Sequence, residues 1–191
     1  REDPKTFNSL PKSTGSISAP RPMTGAEYID ELRDGREVYL YGERVKDVTT
    51  HPAFRNTVRM VARLFDALHD DKHKSKILLP TDTGNGGTTH AYFKAPKSME
   101  DLLQGRSAIA EWARMTYGFM GRTPDYKAAF MATLGALPAF SAPYADPALA
   151  WYRRYAAKGL YLNHVLVNPP VDRKRPVHEV GDVFLHVVKE T

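Results

Sequence analysis

The spacing of apolar residues along this chain changes character once, near residue 160. Before that point they recur every three or four positions, the period of helices buried on one side. "HPAFRNTVRMVARLFDALHD" (51–70) sets Phe54, Val58, Val61, Leu64, Phe65 and Leu68 in one such register. After it, "YLNHVLVN" and "DVFLHVV" show the alternation of strands. This order predicts a helical domain followed by the opening of a sheet. One or two strands are not stable alone, so the pattern reads as the N-terminal part of something longer. The expected fold class is α+β, mainly α.

Local signals divide the chain further. Residues 1–23 are rich in Ser, Pro, Thr and Lys and lack periodicity, so a flexible arm is expected there. Thr24 and Glu27 have capping-box spacing, and Gly35 stands where a helix commonly stops. "REVYLYGERV" reads as a hairpin about Gly42, and Thr50 is expected to cap the 51–70 helix. "KILLPTD" and "THAYFKA" flank "TGNGG" as two strands about a glycine turn. Ser98 and Asp101 open a helix running to about Gly118, followed by helices over about 124–137 and 146–158. The helical domain is therefore predicted over 24–160, and the start of a β-domain over 161–191.

Composition narrows the function classes. With 42% hydrophobic and 26% charged residues, the chain has the make-up of a folded globular protein. No apolar run approaches the roughly 18 residues of a membrane span, and the first 20 residues have no apolar signal-peptide core. A soluble, cytoplasmic protein is expected. There is no cysteine, which excludes disulfides, a thiol nucleophile and thiolate-held zinc or iron–sulfur centres within these residues. The formal charge of +5 is scattered, with only "KHKSK" and "DRKRP" as small clusters, so a nucleic-acid stripe is not expected.

Several motifs have ordinary structural explanations. "TGNGGTTH" lacks the P-loop lysine and dinucleotide spacing, and a hairpin turn accounts for it. His69 and His73 stand four apart, but no HExxH surrounds them and lysines do, so a solvated helix end is expected and no metal. "MGRTPDYKAAF" (120–130) is different. Pro124 and Asp125 suit the first turn of a helix, yet Arg122 and Tyr126 are left unexplained. A guanidinium enclosed between apolar helices needs a partner. Asp125 or Glu111 would serve as plain structure, and an anionic or phenolic ligand would serve equally. His164 shares a strand face with Leu162 and Leu166, where a satisfied core histidine is the commoner case.

"DGREVYLYGERVKDVTTHPAFRN", "AIAEWARMTYGFMGRTPDYKAAF" and "GLYLNHVLVNPPVDR" together resemble the 4-hydroxyphenylacetate 3-hydroxylase family, in one order from about Met23 to Thr191. The resemblance implies an acyl-CoA-dehydrogenase-like N-terminal helical domain, followed by the first strands of a middle β-domain. It also implies the oxygenase component of a two-component monooxygenase, a homotetramer when complete. The cofactor would be FAD, reduced by a separate NAD(P)H-dependent reductase. The substrates would be O2 and 4-hydroxyphenylacetate, within aromatic compound catabolism. Arg122, Thr123, Pro124, Asp125, Tyr126 and His164 match the substrate pocket, with Arg122, Tyr126 and His164 in the catalytic role. His164, Val165, Leu166, Pro170, Val171, Asp172 and Arg173 match positions lining the flavin. Relatives acting on chlorophenols, nitrophenols or tyrosine-derived phenols remain open, as does a non-catalytic fragment serving subunit contacts. A dehydratase branch that holds an iron–sulfur cluster is disfavoured by the missing cysteines.

The chemistry explains why a turn would carry these side chains. Electrophilic oxygen transfer favours a ring whose hydroxyl is losing its proton. Moving a phenol from about pH 10 to about 7 takes roughly 4 kcal/mol. One charge-assisted hydrogen bond contributes about 1.5–3 kcal/mol. A single donor is marginal, and three converging donors suffice.

Overall fold

The computed structural model describes residues 19–119, 125–162, 174–176 and 179, with backbone alone for Asp125, Tyr126 and Ser141. Of the two strands expected after residue 160, only Tyr161 and Leu162 are described, without strand structure, and the rest lies outside the described residues. Within them the fold is mainly helical, with short strands confined to two hairpins.

The chain is packed before the first helix begins. The buried Met23 donates its N–H to the Lys158 carbonyl at 3.0 Å, and the Pro20 carbonyl accepts from Thr88 N–H at 2.9 Å. Helix α1 (Gly25–Glu31) starts with the capping box the sequence predicts: Thr24 Oγ1 accepts from Glu27 N–H at 3.2 Å, and Glu27 Oε2 from Thr24 N–H at 2.7 Å. It ends before Gly35, which lies in the following turn at φ 82°. Strands β1 (Val38–Leu40) and β2 (Glu43–Val45) pair antiparallel through Tyr41–Gly42, both at positive φ, as a two-residue hairpin requires.

Helix α2 (Arg55–Ala67) begins later than the sequence suggests and has no side-chain cap. Thr50, the expected cap, instead donates to the Asp47 carbonyl at 3.4 Å. Asp47 organises its own turn, accepting both the N–H and the hydroxyl of Thr49 at 2.7 Å. That turn occupies the chain up to His51. From Val58 onward the expected stripe holds, with Val58, Val61, Leu64, Phe65 and Leu68 all buried.

The "KHKSK" cluster is helical. It forms helix α3 (Asp71–Ile77), capped by Asp70, whose Oδ1 accepts from Lys72 N–H at 2.9 Å. Strands β3 (Leu78–Pro80) and β4 (Thr88–His90) then pair antiparallel about the glycine turn as predicted, and a 3-10 turn, Ala91–Phe93, follows.

Helix α4 (Met99–Met115) opens on Ser98, which accepts from Asp101 N–H at 3.1 Å. It closes three residues before Gly118 in a Schellman motif: Gly118 N–H reaches the Ala113 carbonyl at 2.8 Å, and Tyr117 N–H the Arg114 carbonyl at 3.4 Å. Tyr117 takes the left-handed position at φ 54° that glycine usually fills. The substitution Tyr117→Gly should therefore relieve strain, partly offset by the extra freedom of unfolded glycine. A gain of up to about 1 kcal/mol in denaturant unfolding is expected.

Helices α5 (Asp125–Ala136) and α6 (Ala145–Lys158) pack closely through small residues. Ala128, Ala132 and Ala156 are fully buried there. At Gly135 an added Cβ would lie 2.0 Å from the Tyr152 ring. Gly135→Ala must push the helices apart and should cost about 1–2 kcal/mol, the scale of core overpacking. A fall in thermal midpoint checks it. Among the described residues one core joins α2, Ile77, the Ala91–Phe93 turn, Trp112, and these two helices.

Candidate functional site

The predicted site is split between two stretches of chain, and the structure defines the supports of both. Arg122, Thr123 and Pro124 lie outside the described residues, as do His164, Val165, Leu166, Pro170, Val171, Asp172 and Arg173. Asp125 and Tyr126 form the first turn of α5. The described chain on either side of that stretch is the Schellman end of α4 and a helix anchored through Ala128 and Ala132. Closely packed alanines hold a backbone firmly, which is what a positioned donor needs.

The second stretch leaves α6 through Gly159, which adopts the left-handed C-cap at φ 61°. Tyr152 fixes α6 to the hairpin layer: its hydroxyl contacts the Phe93 carbonyl at 2.7 Å and also the Asp82 carboxylate. Burial raises the Tyr152 pKa above its ordinary value, so the phenol keeps its proton. Thr89 adds a buried bond from its hydroxyl to the Ala156 carbonyl at 2.8 Å. Tyr161 and Leu162 then pack against the core, and burial pushes the Tyr161 hydroxyl up to about 12. The chain is therefore held on the core as far as Leu162.

A groove of about 240 Å³ runs between α4 and α5, lined by Tyr92, Leu102, Arg106, Ile109 and Ala129. It is smaller than the roughly 300–1,000 Å³ of typical ligand sites, so it does not by itself enclose an aromatic substrate and a flavin.

Two polar centres escaped the sequence reading. Glu111, only 6% exposed, receives three basic side chains: His73 Nδ1 at 2.8 Å, Lys76 Nζ at 2.9 Å and Arg114 Nη1 at 3.0 Å. Lys76, then His73, hold its carboxyl down at about 2. Glu111 is thus already engaged, which weakens the purely structural pairing with Arg122. His73 is not at a solvated helix end: its side chain is 17% exposed, and the neighbouring His69 Nε2 lies 3.2 Å from the Met23 carbonyl. Among the described residues no group of three His, Cys, Asp or Glu is arranged to hold a metal. The other centre is His90, fully enclosed beside Trp112. Nothing in "THAYF" distinguished it from an ordinary strand residue.

The fold matches the first third of a solved oxygenase component. It superposes with TM-score 0.74 and 35% identity on the oxygenase component of 4-hydroxyphenylacetate 3-monooxygenase complexed with FAD and 4-hydroxyphenylacetate, covering 84% of this chain and 33% of that one. The chain belongs to the family described as 4-hydroxyphenylacetate 3-hydroxylase, N-terminal, which matches residues 24–191. It is 58% identical over 173 residues to the 4-hydroxyphenylacetate 3-monooxygenase oxygenase component of Pseudomonas aeruginosa, covering 91% of this chain and 33% of the relative. It is also 58% identical over 171 residues to the 4-nitrophenol 2-monooxygenase oxygenase component of a Rhodococcus species, covering 90% of this chain and 33% of the relative. The chain thus spans about a third of the length of these curated relatives. The resemblance read from the motifs is the family the chain belongs to.

Proposed function

We propose that this chain is the N-terminal part of the oxygenase component of a reduced-FAD-dependent two-component monooxygenase. The reaction hydroxylates 4-hydroxyphenylacetate next to its hydroxyl, giving 3,4-dihydroxyphenylacetate. One atom of O2 enters the ring and the other leaves as water, with the electrons coming from reduced flavin. The observation that carries this reading is the family match across nearly the whole chain, with "RTPDY" in place within it.

Arg122, Tyr126 and His164 are the groups assigned to the phenolic oxygen. Arg122 keeps its charge at any working pH, and His164 can donate or accept. Thr123, Pro124 and Asp125 shape the turn, with Pro124 fixing its direction. His164, Val165, Leu166, Pro170, Val171, Asp172 and Arg173 line the flavin side of the cavity. Bound reduced FAD supplies the activation of O2. The protein's part is to orient the ring, draw off its hydroxyl proton and keep water out. The complete enzyme is an acyl-CoA-dehydrogenase-like homotetramer of the cytoplasm, served by a separate NAD(P)H-dependent flavin reductase. No helix among the described residues is long and apolar enough to cross a membrane.

A second reading, 4-nitrophenol as substrate, is favoured by the equal identity to the two kinds of relative. Turnover of the full-length protein with a generic flavin reductase decides between them. 4-Hydroxyphenylacetate should give the highest kcat/KM among it, 4-nitrophenol, a chlorophenol and tyrosine. Preference for 4-nitrophenol selects the second reading, and no hydroxylation of any phenol rejects both.

A further inference from the structure

His90 and Trp112 are 3% and 4% exposed, and neither His90 Nε2 nor Trp112 Nε1 has a hydrogen-bond partner among the described residues. The other ring nitrogen of His90 accepts the Tyr92 backbone N–H at 3.1 Å. An accepting Nδ1 leaves the proton on Nε2. Burial lowers the His90 pKa to about 3, so the ring is neutral near pH 7. Indole nitrogen is a donor only. Two buried donors therefore belong to neighbouring rings, and burial without an acceptor is costly.

Both side chains line one small cavity, with Leu64, Phe65, Leu160 and Tyr161 among its other walls. Its volume is about 10 Å³, the threshold at which a cavity admits one water. The rings meet edge to face, with centroids 4.6 Å apart at 78°. These rings and the adjoining Tyr92 ring offer the two N–H groups only π faces, which accept weakly and do not replace an oxygen acceptor. A metal ion is the wrong occupant, because two N–H donors offer no lone pair. An anion is the wrong occupant, because no cation among the described residues lines the space. Water has two lone pairs and the right size.

We propose that His90 and Trp112 form a buried site for a single structural water, which accepts His90 Nε2–H and Trp112 Nε1–H together. It ties α4 to the β3–β4 hairpin beneath the Gly159–Tyr161 segment, where the chain leaves the helical domain.

A crystal structure of the full-length protein with ordered solvent tests this. One spherical peak is expected within about 2.7–3.2 Å of both nitrogens. In Trp112→Phe, which removes one donor and keeps an aromatic ring, the peak should weaken or move while His90 stays in place. The proposal is overturned by no peak, by a protein carbonyl or carboxylate standing there, or by a peak unchanged in the variant. Should Trp112→Phe fail to fold, wild-type water-selective NMR decides. The Trp112 indole proton should cross-relax with a long-lived water, and its failure to do so overturns the site.

Discussion

Arg122→Ala in the full-length enzyme is expected to lower ring hydroxylation about 10²-fold or more, the usual scale for removing a preorganised donor. Flavin reduction by the proposed separate reductase should be unchanged. The phenol must be stabilised by roughly 4 kcal/mol as its proton leaves near neutral pH. Under the proposed assignment, removing Arg122 would leave Tyr126 and His164, whose hydrogen bonds would contribute about 0.5–1.5 kcal/mol each. The residual rate should then climb as pH rises toward about 10, where the substrate ionises unaided. Arg122→Lys keeps the charge and loses the planar fork, so a partial loss is expected. Oxygen consumption coupled to catechol formation at the wild-type ratio and rate in Arg122→Ala would falsify the assignment.

What the sequence made legible was local. Thr24 and Glu27, or Ser98 and Asp101, signal helix starts because both partners lie within one turn. The α2 stripe is legible for the same reason: its period is a property of neighbouring residues. The failures are cases where a competing local interaction or a distant partner decides. Asp47 took the turn that Thr50 was expected to open. The helix α3 went unread because its seven residues, capped by Asp70, carry no apolar stripe until Ile77. Tyr41 and Tyr117 occupy left-handed positions where glycine or asparagine would be the ordinary choice, so residue preference pointed away from them. The family was legible by a different route. "RTPDY" and "YLNHVLVNPPVDR" identify the family, while physical pattern alone left Arg122 divided between a structural partner and a ligand.

The His73–Glu111 contact shows the same limit most clearly, because the partners are separated by 38 residues. A large stability effect is expected of it. Glu111→Ala removes the carboxylate from a site where its side chain is 8% exposed, leaving Lys76, His73 and Arg114 close together without their shared counter-charge. Breaking a buried pair from one side costs about 3–5 kcal/mol. Lys76 and Arg114 are about half and two-thirds exposed and can turn to water, so the lower end, about 3 kcal/mol, applies. For a chain of this length that lowers the thermal midpoint by roughly 6–12 °C. Glu111→Gln keeps an acceptor and loses the charge, so about half that loss is expected. The pH dependence has a definite sign. A carboxyl held at about 2, below its ordinary 4.5, contributes stability above pH 4.5 that disappears as pH falls toward 2. The gap between wild type and Glu111→Ala should therefore be widest near neutral pH and shrink through that window. Glu27 and Asp34 are also held low, but they are unchanged in the variant and drop out of the difference. Calorimetric midpoints at pH 7 and pH 3 measure it, and a gap that stays constant between them removes the ionised cluster as the link between α3 and α4.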